Sequence, residues 1–528
     1  MALYQQYMEN HGPFADYDDF CAGFRLKKPE RFQFAFDVAD VLAERAPDAT
    51  ALAWATPCGQ EGRIDFAQMK VLSDRAANVL RERGVGKGDA VLLLLKNHFE
   101  YWPLLLAVHK LGAVAAPTPH LLTAQDIAYR LGRVNETMGV AMAIATAEEG
   151  IPQRVEEAVV LSGASPELLL VRGDRPGWQG YEALMAQTDA CFERPQASSV
   201  SDPLLLYFTS GTEGMPKMAL HDQLYPLRHI LTAVHWQRVV AGGLHCTVCD
   251  TGGSKSAWGQ IYGQWFAHSG VFVWDAEEPL DATALLDALA KHRVSTLCAP
   301  PGVYRALLGQ ELDRCALRHC TVMSEPLHPE IYHQFMEQTG LGLCEAYGLA
   351  ETAVVVGNFS PYIKVQPGSM GRPSPLYDVD IVDAEGTTCP AGVSGEIVAR
   401  GVWDGQILRT GDIAWRDEWG YYWYVGRADD VVRSSGYRIG PFEVESALLS
   451  HPAVLEAAVT GVPDPLRFQI VKATVVLRPG HGPGEAMVRA LQEHVKRVTA
   501  PYKCPRVIVF VDTLPRTSDG KIKRSALR

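Results

Sequence analysis

The stretch FTSGTEGMPK, residues 208–217, brings two glycines, three hydroxyl side chains and a lysine into ten positions. Phosphate oxygens need hydrogen-bond donors at close range. Glycines let backbone N–H groups approach them, and hydroxyl and ammonium groups add further donors. The spacing differs from the G-x-x-x-x-G-K-[ST] loop of kinases and GTPases, because Pro216 precedes the lysine and Met218 follows it. The apolar LLLYF before the stretch predicts a strand that ends there. The pattern therefore indicates a phosphate-binding loop with one unexpected acid, Glu213.

Three later clusters strengthen this interpretation. EAYGLAET places Tyr347 four residues before Glu351 and Thr352 directly after it, RTGD ends in Asp412, and PRTSDGKIKR puts Lys521 in a polar loop. With these clusters in the same chain, a plain turn at residues 208–217 becomes a much poorer explanation.

The composition limits the class of protein. Hydrophobic residues make up 47% of the 528-residue chain and charged residues 21%, which is ordinary for a globular protein of more than one domain. The net charge of −12 argues against nucleic acid or an anionic membrane as the main partner. The N-terminus does not resemble a signal peptide, and no apolar run approaches the ~20 residues that span a bilayer. We therefore expect no membrane span.

Cysteine usage indicates the redox compartment. The 11 cysteines are scattered and odd in number, which favours a reducing, cytoplasmic setting. Cys246 and Cys249 form a C-x-x-C, but no second pair stands at zinc spacing. We expect both to be buried strand residues.

Two regions differ in their predicted elements. In the first ~200 residues helices and strands alternate, which predicts a layered α/β architecture. DFAQMKVLSDRAANVLRERG has an apolar helical face that includes Leu72, with Asp65 and Gln68 at capping-box spacing and Gly84 placed to end the helix. AVLLLL predicts a buried strand, and FEYWPLLLAVHKLGA predicts the next helix. The last ~100 residues instead predict helix, strand, strand, helix and strand, a small α+β domain.

Six segments occur in the order typical of one superfamily: YFTSGTEGMPK, EAYGLAET, GEIVARG, RTGDIAWRDEWGYYWYVGRADD, SSGYRIGPFEVESAL and PRTSDGKIKR. From Tyr207 to its end, the chain resembles the adenylate-forming enzymes, which include acyl-CoA synthetases, luciferases and nonribosomal-peptide adenylation domains. GRPSPLYDV and SSGYRIGPFEVESALLSHPAV are most similar to the medium-chain acyl-CoA synthetases. The resemblance implies a large, multi-subdomain N-terminal α/β domain, residues 1–428, followed by a small, mobile α+β C-terminal domain, residues 429–528.

The implied activity is that of an ATP-dependent carboxylate–CoA ligase whose acid is medium-chain, branched or aromatic. Members use ATP and Mg²⁺ to form an acyl-adenylate and pyrophosphate, and coenzyme A then takes the acyl group after the C-terminal domain rotates. Two alternatives remain: a ligase that loads a separate acyl-carrier protein, and a non-catalytic nucleotide-binding relative, against which the intact Glu351, Asp412 and Lys521 argue. The expected partners are a small carboxylic acid, ATP and coenzyme A, not nucleic acid, in a monomer or homodimer.

The resemblance also implies a role for each matching residue. The β- and γ-phosphates would be held by Thr209, Ser210, Gly211, Thr212, Gly214 and Lys217. The rest of the ATP site would comprise Glu325, Pro326, Tyr347 and Gly348 at adenine, Glu351 at Mg²⁺, Thr352 at the α-phosphate, and Asp412 and Arg427 at ribose. A carboxylate suits two ribose hydroxyls because it has two acceptor oxygens. Glu213 would point outward or towards the metal ion, because bare phosphate repels a carboxylate.

The C-terminal residues would serve both reaction steps. Lys521 would contact the substrate carboxylate and the α-phosphate, where a fixed ammonium group stabilises developing charge. It is implied to act in catalysis with Thr209 and Glu351, and Asp429 occupies the hinge position. Coenzyme A would lie along Ser435, Gly436, Tyr437, Arg438, Arg467 and Lys472.

The acyl pocket departs from the family pattern. It would be lined by Trp236, Gly253, Lys255 and Trp258, and Gly253 stands where medium-chain relatives usually carry a tryptophan. Loss of an indole, which buries ~200 Å², predicts a bulky aromatic, branched or cyclic acid. The alternative is that another side chain fills the space.

Three further departures concern other parts of the chain. Ser324 and Phe468 stand where relatives usually have glycine. The bulky Phe468 would reshape the nucleotide end of the coenzyme A site, which leaves the thiol acceptor in question. Residues 401–409 are shorter than the corresponding surface loop of relatives.

Overall fold

The computed structural model describes residues 2–148, 150–195, 199–209, 216–276, 280–434, 437–517 and 521–528, with the backbone alone at residue 438. The chain divides into two compact units. The first unit contains Met1–Thr321 and Gly348–Val354, and the second contains Val322–Tyr347 and Val355–Arg528.

The helices of the first unit are mostly short and alternate with its strands. Among its described residues they are α1 (Tyr17–Gly23), α2 (Val41–Arg45), α3 (Phe66–Glu82), α4 (Tyr101–Leu111), α5 (Ala124–Thr137), α6 (Ile151–Ser162), α7 (Tyr181–Gln187), α8 (Tyr225–Ile230), α9 (Lys255–Gly259), α10 (Tyr262–Phe266), α11 (Ala282–Lys291) and α12 (Pro301–Leu307). Two π-helical turns, Ala35–Asp40 and Leu231–Trp236, precede α2 and follow α8.

The strands of this unit form two sheets. They are β1 (Thr50–Ala55), β2 (Glu61–Asp65), β3 (Ala90–Leu94), β4 (Val114–Pro117), β5 (Val140–Thr146), β6 (Glu167–Val171), β7 (Gln179–Gly180), β8 (Pro203–Thr209), β9 (Lys217–Asp222), β10 (Leu244–Thr247), β11 (Gly270–Trp274), β12 (Thr296–Ala299) and β13 (His319–Val322). One sheet has the order β7-β6-β5-β3-β4-β8-β9, and β9 runs antiparallel to β8. The other has the order β13-β12-β10-β11-β1-β2, with parallel pairing from β12 to β1. The predicted α/β architecture is confirmed.

The helix predicted after residue 65 is α3. The carboxylate of Asp65 accepts from the backbone N–H of Gln68 at 2.7 Å, and the Gln68 side chain accepts from the N–H of Asp65 at 3.1 Å. This is the predicted capping box. The helix ends at Glu82, and Gly84 follows with φ +88°, in the left-handed region that commonly terminates helices. The predicted apolar face is buried except at Leu72, which is half-buried.

Helix α4 is buried on all sides, and this burial includes a charge. Lys110, whose side chain is fully buried, donates to the carboxylates of Asp40 at 2.8 Å and Asp74 at 2.5 Å. Burial raises the pKa of Asp40, and the Lys110 ammonium opposes that rise. A buried charge must be paired, so this cluster fixes α4 against α3 and the first π-helical turn. The sequence HKLG does not predict it, because lysine is usually exposed.

The second unit is built mainly from antiparallel strands. Its described helices are α13 (Pro329–Thr339), α14 (Pro441–Leu449) and α15 (Glu485–Val498). Its strands are β14 (Leu343–Tyr347), β15 (Val356–Gly357), β16 (Arg372–Pro373), β17 (Tyr377–Val382), β18 (Gly395–Gly401), β19 (Ile407–Arg416), β20 (Tyr422–Arg427), β21 (Val432–Ser434), β22 (Tyr437–Ile439), β23 (Val454–Asp464), β24 (Phe468–Leu477) and β25 (Val507–Phe510). Strands β17 to β20 form a meander, and β15 pairs antiparallel with both β14 and β16.

The C-terminal part of this unit has the predicted element order. Helix α14, strands β23 and β24, helix α15 and strand β25 follow one another, in a sheet ordered β22-β21-β24-β23 with β25 parallel to β24. Its core is apolar and includes Ile439, Val444, Leu448, Val459 and Leu491. The small α+β fold predicted here is confirmed.

The shortened segment at residues 401–409 is a tight hairpin between β18 and β19. The N–H of Gly401 donates to the carbonyl of Gln406 at 2.9 Å, and the N–H of Gly405 donates to the carbonyl of Gly401 at 2.8 Å. Because so few residues connect the two strands, the backbone groups of the loop hydrogen-bond to one another.

Candidate functional site

The predicted phosphate loop connects two paired strands of the first unit. Thr209 ends β8, Lys217 begins β9, and the two residues are cross-strand partners. The Tyr129 hydroxyl donates to the carbonyl of Pro216 at 3.0 Å, which holds the loop's last residue in place. The predicted strand before the loop is confirmed. Outside the described residues lie Ser210, Gly211, Thr212, Glu213 and Gly214, and the orientation of Glu213 stays a prediction.

The turn that carries Glu351 is fixed by two hydrogen bonds. The Thr352 hydroxyl, almost fully buried, accepts from the N–H of Leu349 at 2.9 Å. His221 Nε2 lies 2.8 Å from the carbonyl of Ala350. Burial lowers the pKa of His221 to about 3, so the neutral ring uses Nε2–H as the donor. Glu351 is half-buried within this turn.

Asp412 is surrounded by three polar side chains of the second unit, those of Tyr347, Tyr424 and Arg427. It is buried on β19, and its two carboxylate oxygens accept from the hydroxyls of Tyr347 at 2.6 Å and Tyr424 at 3.3 Å. Arg427 is its cross-strand partner, with Nη1 3.6 Å from Oδ1. Burial raises the pKa of Asp412, and the Tyr347 hydrogen bond, Arg427, Tyr424 and Lys521 oppose the rise. Each carboxylate oxygen has two acceptor positions, so the tyrosines leave capacity for further donors.

The backbone of Lys521 is hydrogen-bonded to Thr517. Its N–H donates to the hydroxyl of Thr517 at 3.1 Å, and its carbonyl accepts from the N–H of Thr517 at 2.7 Å. Burial raises the pKa of Asp412 and of Glu325, and the positive charge of Lys521 opposes both rises. Lys521 is therefore close enough to both carboxyls to influence them electrostatically.

The segment predicted to flank adenine is held by a buried carboxyl. Glu325 and Pro326 are half-buried, and the next N–H, that of Leu327, donates to Glu345 at 3.1 Å. Burial raises the pKa of Glu345 to about 8, so this group is largely protonated at pH 7. Ser324 has φ +77°, in the left-handed region, which explains why glycine is usual at this position.

Three of the four predicted acyl-pocket residues, Trp236, Lys255 and Trp258, contact one another in the first unit. Trp236 and Trp258 are fully buried and pack edge to face, with ring centroids 6.1 Å apart. Lys255 Nζ lies 3.5 Å from the centre of the Trp258 ring and donates to the carbonyl of Gly348 at 3.3 Å. A Cβ on Gly348 would lie 2.5 Å from the Trp258 ring. Gly253 begins the turn that leads into α9.

The residues predicted to bind coenzyme A lie in the C-terminal part of the second unit. Tyr437 is exposed on β22 and stacks on Tyr502, with ring centroids 4.1 Å apart. Lys472, on β24, donates to the carbonyl of Leu527 at 2.8 Å. Arg467 lies in the turn between β23 and β24. The described part of the chain omits Ser435, Gly436 and the side chain of Arg438.

The hinge position is also held within this unit. The guanidinium of Arg528 donates to the carbonyl of Asp429 at 3.1 Å and pairs with the carboxylate of Asp430.

Within the described ranges, no helix is long and apolar enough to cross a membrane. The same residues contain no cluster of three or more His, Cys, Asp or Glu side chains placed to hold a metal ion.

Cys246 is a buried residue of β10, as predicted. The prediction that Cys249 is also a strand residue is wrong, because β10 ends at Thr247 and Cys249 lies in the loop that follows it.

Sequence reasoning missed Tyr424, His221 and Glu345. Tyr424 contacts Asp412 because of the β19–β20 register, which the sequence does not specify. His221 offered a signal, since it stands four residues after Lys217, at strand periodicity. Glu345 opens the EAYGLAET segment, but only its burial shows that it is a structural carboxyl.

The two non-glycine residues at usual glycine positions lead to a stability prediction. Phe468, like Ser324, has a left-handed φ, +69°, and its side chain is 71% exposed. This conformation costs a non-glycine residue about 1–2 kcal/mol, more than the extra entropy that glycine loses on folding, about 0.5–1 kcal/mol. We expect Phe468→Gly and Ser324→Gly each to raise the free energy of unfolding, measured by urea titration, by up to about 1 kcal/mol. Leu466→Gly, in the same turn as Phe468 and 88% exposed, should be destabilising. A loss of stability in both test variants would contradict this account.

Comparison with known proteins finds relatives over nearly the whole chain. The family model described as AMP-binding enzyme matches residues 40–406, and the one described as AMP-binding enzyme C-terminal domain matches residues 443–521. Acyl-coenzyme A synthetase ACSM5, mitochondrial, from Homo sapiens is 39% identical over 95% of this chain and 90% of its own length. Acyl-coenzyme A synthetase ACSM3, mitochondrial, from Rattus norvegicus is 34% identical over 98% of this chain and 93% of its own.

Solved structures share the architecture. The anthranilate CoA ligase AuaEII in complex with anthranoyl-AMP has a TM-score of 0.84 and 28% identity, covering 95% of this chain and 97% of that one. A benzoate CoA ligase from Burkholderia xenovorans LB400 has a TM-score of 0.82 and 25% identity, covering 94% and 100%. The predicted large N-terminal and small C-terminal domains are confirmed by the two matched ranges. The boundary between residues 428 and 429 lies between those ranges and stays a prediction.

Proposed function

We propose a function on the premise that this chain belongs to the AMP-binding enzyme family. The chain is an ATP-dependent, AMP-forming acid–CoA ligase. A carboxylate oxygen of the acid attacks the α-phosphorus of ATP, and the bond to pyrophosphate breaks. The thiolate sulfur of coenzyme A then attacks the acyl carbon, and AMP leaves. Two steps are needed because oxide is a very poor leaving group, whereas AMP is a good one.

The observation that carries the proposal is the set of groups around Asp412. A buried carboxylate, an aromatic ring and two cations belong to the same unit: Asp412, Tyr347, Arg427 and Lys521. The carboxylate would accept the ribose hydroxyls, and the ring of Tyr347 would stack on adenine, with Gly348, Glu325 and Pro326 beside it. The ammonium of Lys521 would stabilise the charge that develops at the α-phosphate and the substrate carboxylate.

Further residues would bind the phosphates. Thr209 and Lys217 are placed at the two ends of the glycine-rich loop, and its remaining residues would supply backbone and hydroxyl donors. Thr352 would donate to the α-phosphate.

A magnesium ion fits the residues present. In nucleotide sites Mg²⁺ keeps several waters and uses one or two carboxylates besides the substrate phosphates. Glu351 is a half-buried carboxylate in a turn fixed by His221 and Thr352, which meets this requirement. It would hold the ion, which when bound offsets the negative charge of the phosphates.

One assay tests the proposal. Pyrophosphate release is measured over a panel of short, medium, branched and aromatic acids, each with and without coenzyme A. We expect acid-dependent release, with a thioester product when coenzyme A is present. No release with any acid would overturn the ligase assignment. Release without a thioester would favour the alternative in which a separate acyl-carrier protein accepts the acyl group.

The proposed acid carries an aromatic, cyclic or branched group. Apart from its chain neighbours, the carbonyl oxygen of Asp250, at 3.4 Å, is the only described atom within 4 Å of a Cβ built on Gly253. The position is therefore open to the first carbon of a larger side chain. The similarity to an anthranilate CoA ligase and a benzoate CoA ligase supports a ring-bearing acid.

We expect Gly253→Trp to change the choice of acid. The indole would occupy the open space, so kcat/KM should fall about 10- to 100-fold for benzoate and change little for hexanoate, because a pocket discriminates mainly by the bulk it excludes. Gly302→Trp is the matched control, since Gly302 is exposed and its Cβ position is also open. An unchanged preference among acids in Gly253→Trp would contradict this prediction.

Coenzyme A is the proposed acceptor. Tyr437, Arg467 and Lys472 would line its path together with Ser435, Gly436 and Arg438, and Asp429 would be the hinge. Support comes from relatives that are named acyl-coenzyme A synthetases and that match this chain over nearly their full length.

A monomer or homodimer remains our prediction for the assembly. A cytoplasmic location also remains a prediction, although the named relatives are mitochondrial.

A further inference from the structure

The segment before residue 40, where the match to the family model begins, packs closely on the rest of the first unit. The N–H of Leu3 donates to His268 Nε2 at 3.1 Å, and a backbone bridge joins Met8 to Leu26. We call residues 2–36 the N-terminal cover.

Three phenylalanines of the cover surround one histidine. The rings of Phe20, Phe24 and Phe14 lie 5.0, 5.2 and 5.8 Å from the ring of His235 between centroids. All three are buried, and so is the imidazole. Burial lowers the pKa of His235 to about 3, so the cover packs on a neutral ring.

His235 directly precedes Trp236, a proposed acyl-pocket residue, in the π-helical turn Leu231–Trp236. Consecutive side chains of a helical turn point roughly 80–100° apart. His235 accordingly faces the cover, whereas Trp236 faces Trp258, with ring centroids 6.1 Å apart. The short π-helical turn therefore carries both His235, which contacts the cover, and Trp236, which contacts Trp258.

A separate series of ring contacts links the N-terminal cover to Trp258. Phe34 packs edge to face on Tyr262 at 4.8 Å, Tyr262 stacks on His229 at 6.0 Å, and His229 lies 6.3 Å from Trp258. All four side chains are fully buried. Trp258 is thus linked to Phe34 of the cover through His229 and Tyr262. Trp236 follows directly in the chain the histidine that the cover phenylalanines surround.

We propose that the N-terminal cover is the rear wall of the acyl pocket, and that Phe20, Phe24 and Phe14 are positioning residues that set which acids the pocket accepts. The inference rests on the proposed ligase function. Closely packed interiors transmit changes of volume. A smaller side chain behind His235 would leave a cavity into which the imidazole and the adjoining indole can relax. The pocket would then enlarge, while the residues proposed to bind ATP would keep their own contacts.

The test compares Phe20→Leu with the wild-type chain, using kcat/KM for benzoate and for hexanoate and the KM for ATP. We expect the ratio of the two kcat/KM values to change at least about 3-fold through the KM of the acid, with the KM for ATP unchanged within about 2-fold. Phe32→Leu is the matched control, because Phe32 is equally buried in the cover but packs on Tyr7 and Phe266. It should leave the ratio unchanged.

A second variant keeps the test informative if Phe20→Leu does not fold. Phe14→Leu removes the most distant of the three rings and should shift the ratio in the same direction. The inference is overturned if folded, active Phe20→Leu and Phe14→Leu keep the wild-type ratio, if Phe32→Leu shifts it equally, or if neither test variant folds. Failure of the proposed function is a different result, since the wild-type chain itself would then release no pyrophosphate with any acid.

Discussion

Replacing Lys521 with alanine is expected to abolish most of the first half-reaction and to spare the second. The ammonium lies close enough to Asp412 and Glu325 to oppose the rise that burial causes in the pKa of both carboxyls. Charge that develops on the substrate carboxylate and the α-phosphate would lose this fixed cation. Removing one such stabilising group typically slows a reaction about 10²- to 10³-fold. We expect a loss of that size in acid-dependent pyrophosphate release.

The second half-reaction is measured from preformed acyl-adenylate and coenzyme A. It should fall only a few-fold, because the proposed role of Lys521 ends when the adenylate has formed. Lys523→Ala is the matched control, since Lys523 is an exposed lysine of the same segment. Equal losses in both half-reactions of Lys521→Ala would contradict a role confined to adenylation, and so would a full loss in Lys523→Ala.

The free energy of unfolding is expected to fall steeply as the pH decreases from 7 to 5. Burial lowers the pKa of six core histidines: His109, His221, His235 and His245 to about 3, His319 to about 4, and His229 well below its ordinary value. In the unfolded chain these groups titrate near pH 6.5. Below that pH the unfolded state binds more protons, so stability is complete above it and is lost as the pH falls towards the folded values. Each histidine whose pKa is lowered to about 3 or 4 contributes a loss of about 2 kcal/mol at pH 5.

Four carboxyls act in the opposite direction, because burial raises the pKa of Asp40, Glu325, Asp412 and Glu345. Burial raises the pKa of Glu345 to about 8, so that carboxyl is destabilising as the pH rises from about 4 to 8. The six histidines outnumber these four carboxyls, and we expect the midpoint of urea unfolding to drop between pH 7 and pH 5. His109→Leu should reduce that drop, because the ring is fully buried. His11→Leu, at an exposed position, should not. A flat midpoint over this range would contradict the prediction.

Local patterns were sufficient for many elements. The capping box at Asp65, the strand before Thr209 and the element order of the C-terminal domain are all predicted from nearest neighbours and periodicity. These features depend on residues a few positions apart, which is the range over which helix caps and strand patterns act. The six ordered segments, from YFTSGTEGMPK to PRTSDGKIKR, also indicate the family before any geometry is known.

Pairings between distant residues were not predictable in this way. Tyr424 reaches Asp412 because of the β19–β20 register, and Lys110 is buried because Asp40 and Asp74 meet it from other elements. The left-handed backbone at Phe468 likewise becomes visible only in the turn between β23 and β24. Register and burial depend on many distant contacts at once.

Residue identity alone specifies the chemistry this chain carries: a glycine- and hydroxyl-rich loop, a carboxylate for hydroxyl groups and a late lysine, in the order of a ligase family. Three-dimensional packing specifies the environment of those groups. It shows open space beside Gly253, aromatic rings of the N-terminal cover behind His235, and a protonated Glu345 beneath the segment at residue 325. The division has a physical cause, because reactive groups are properties of single side chains, whereas volume, burial and pKa arise from all the atoms that surround them.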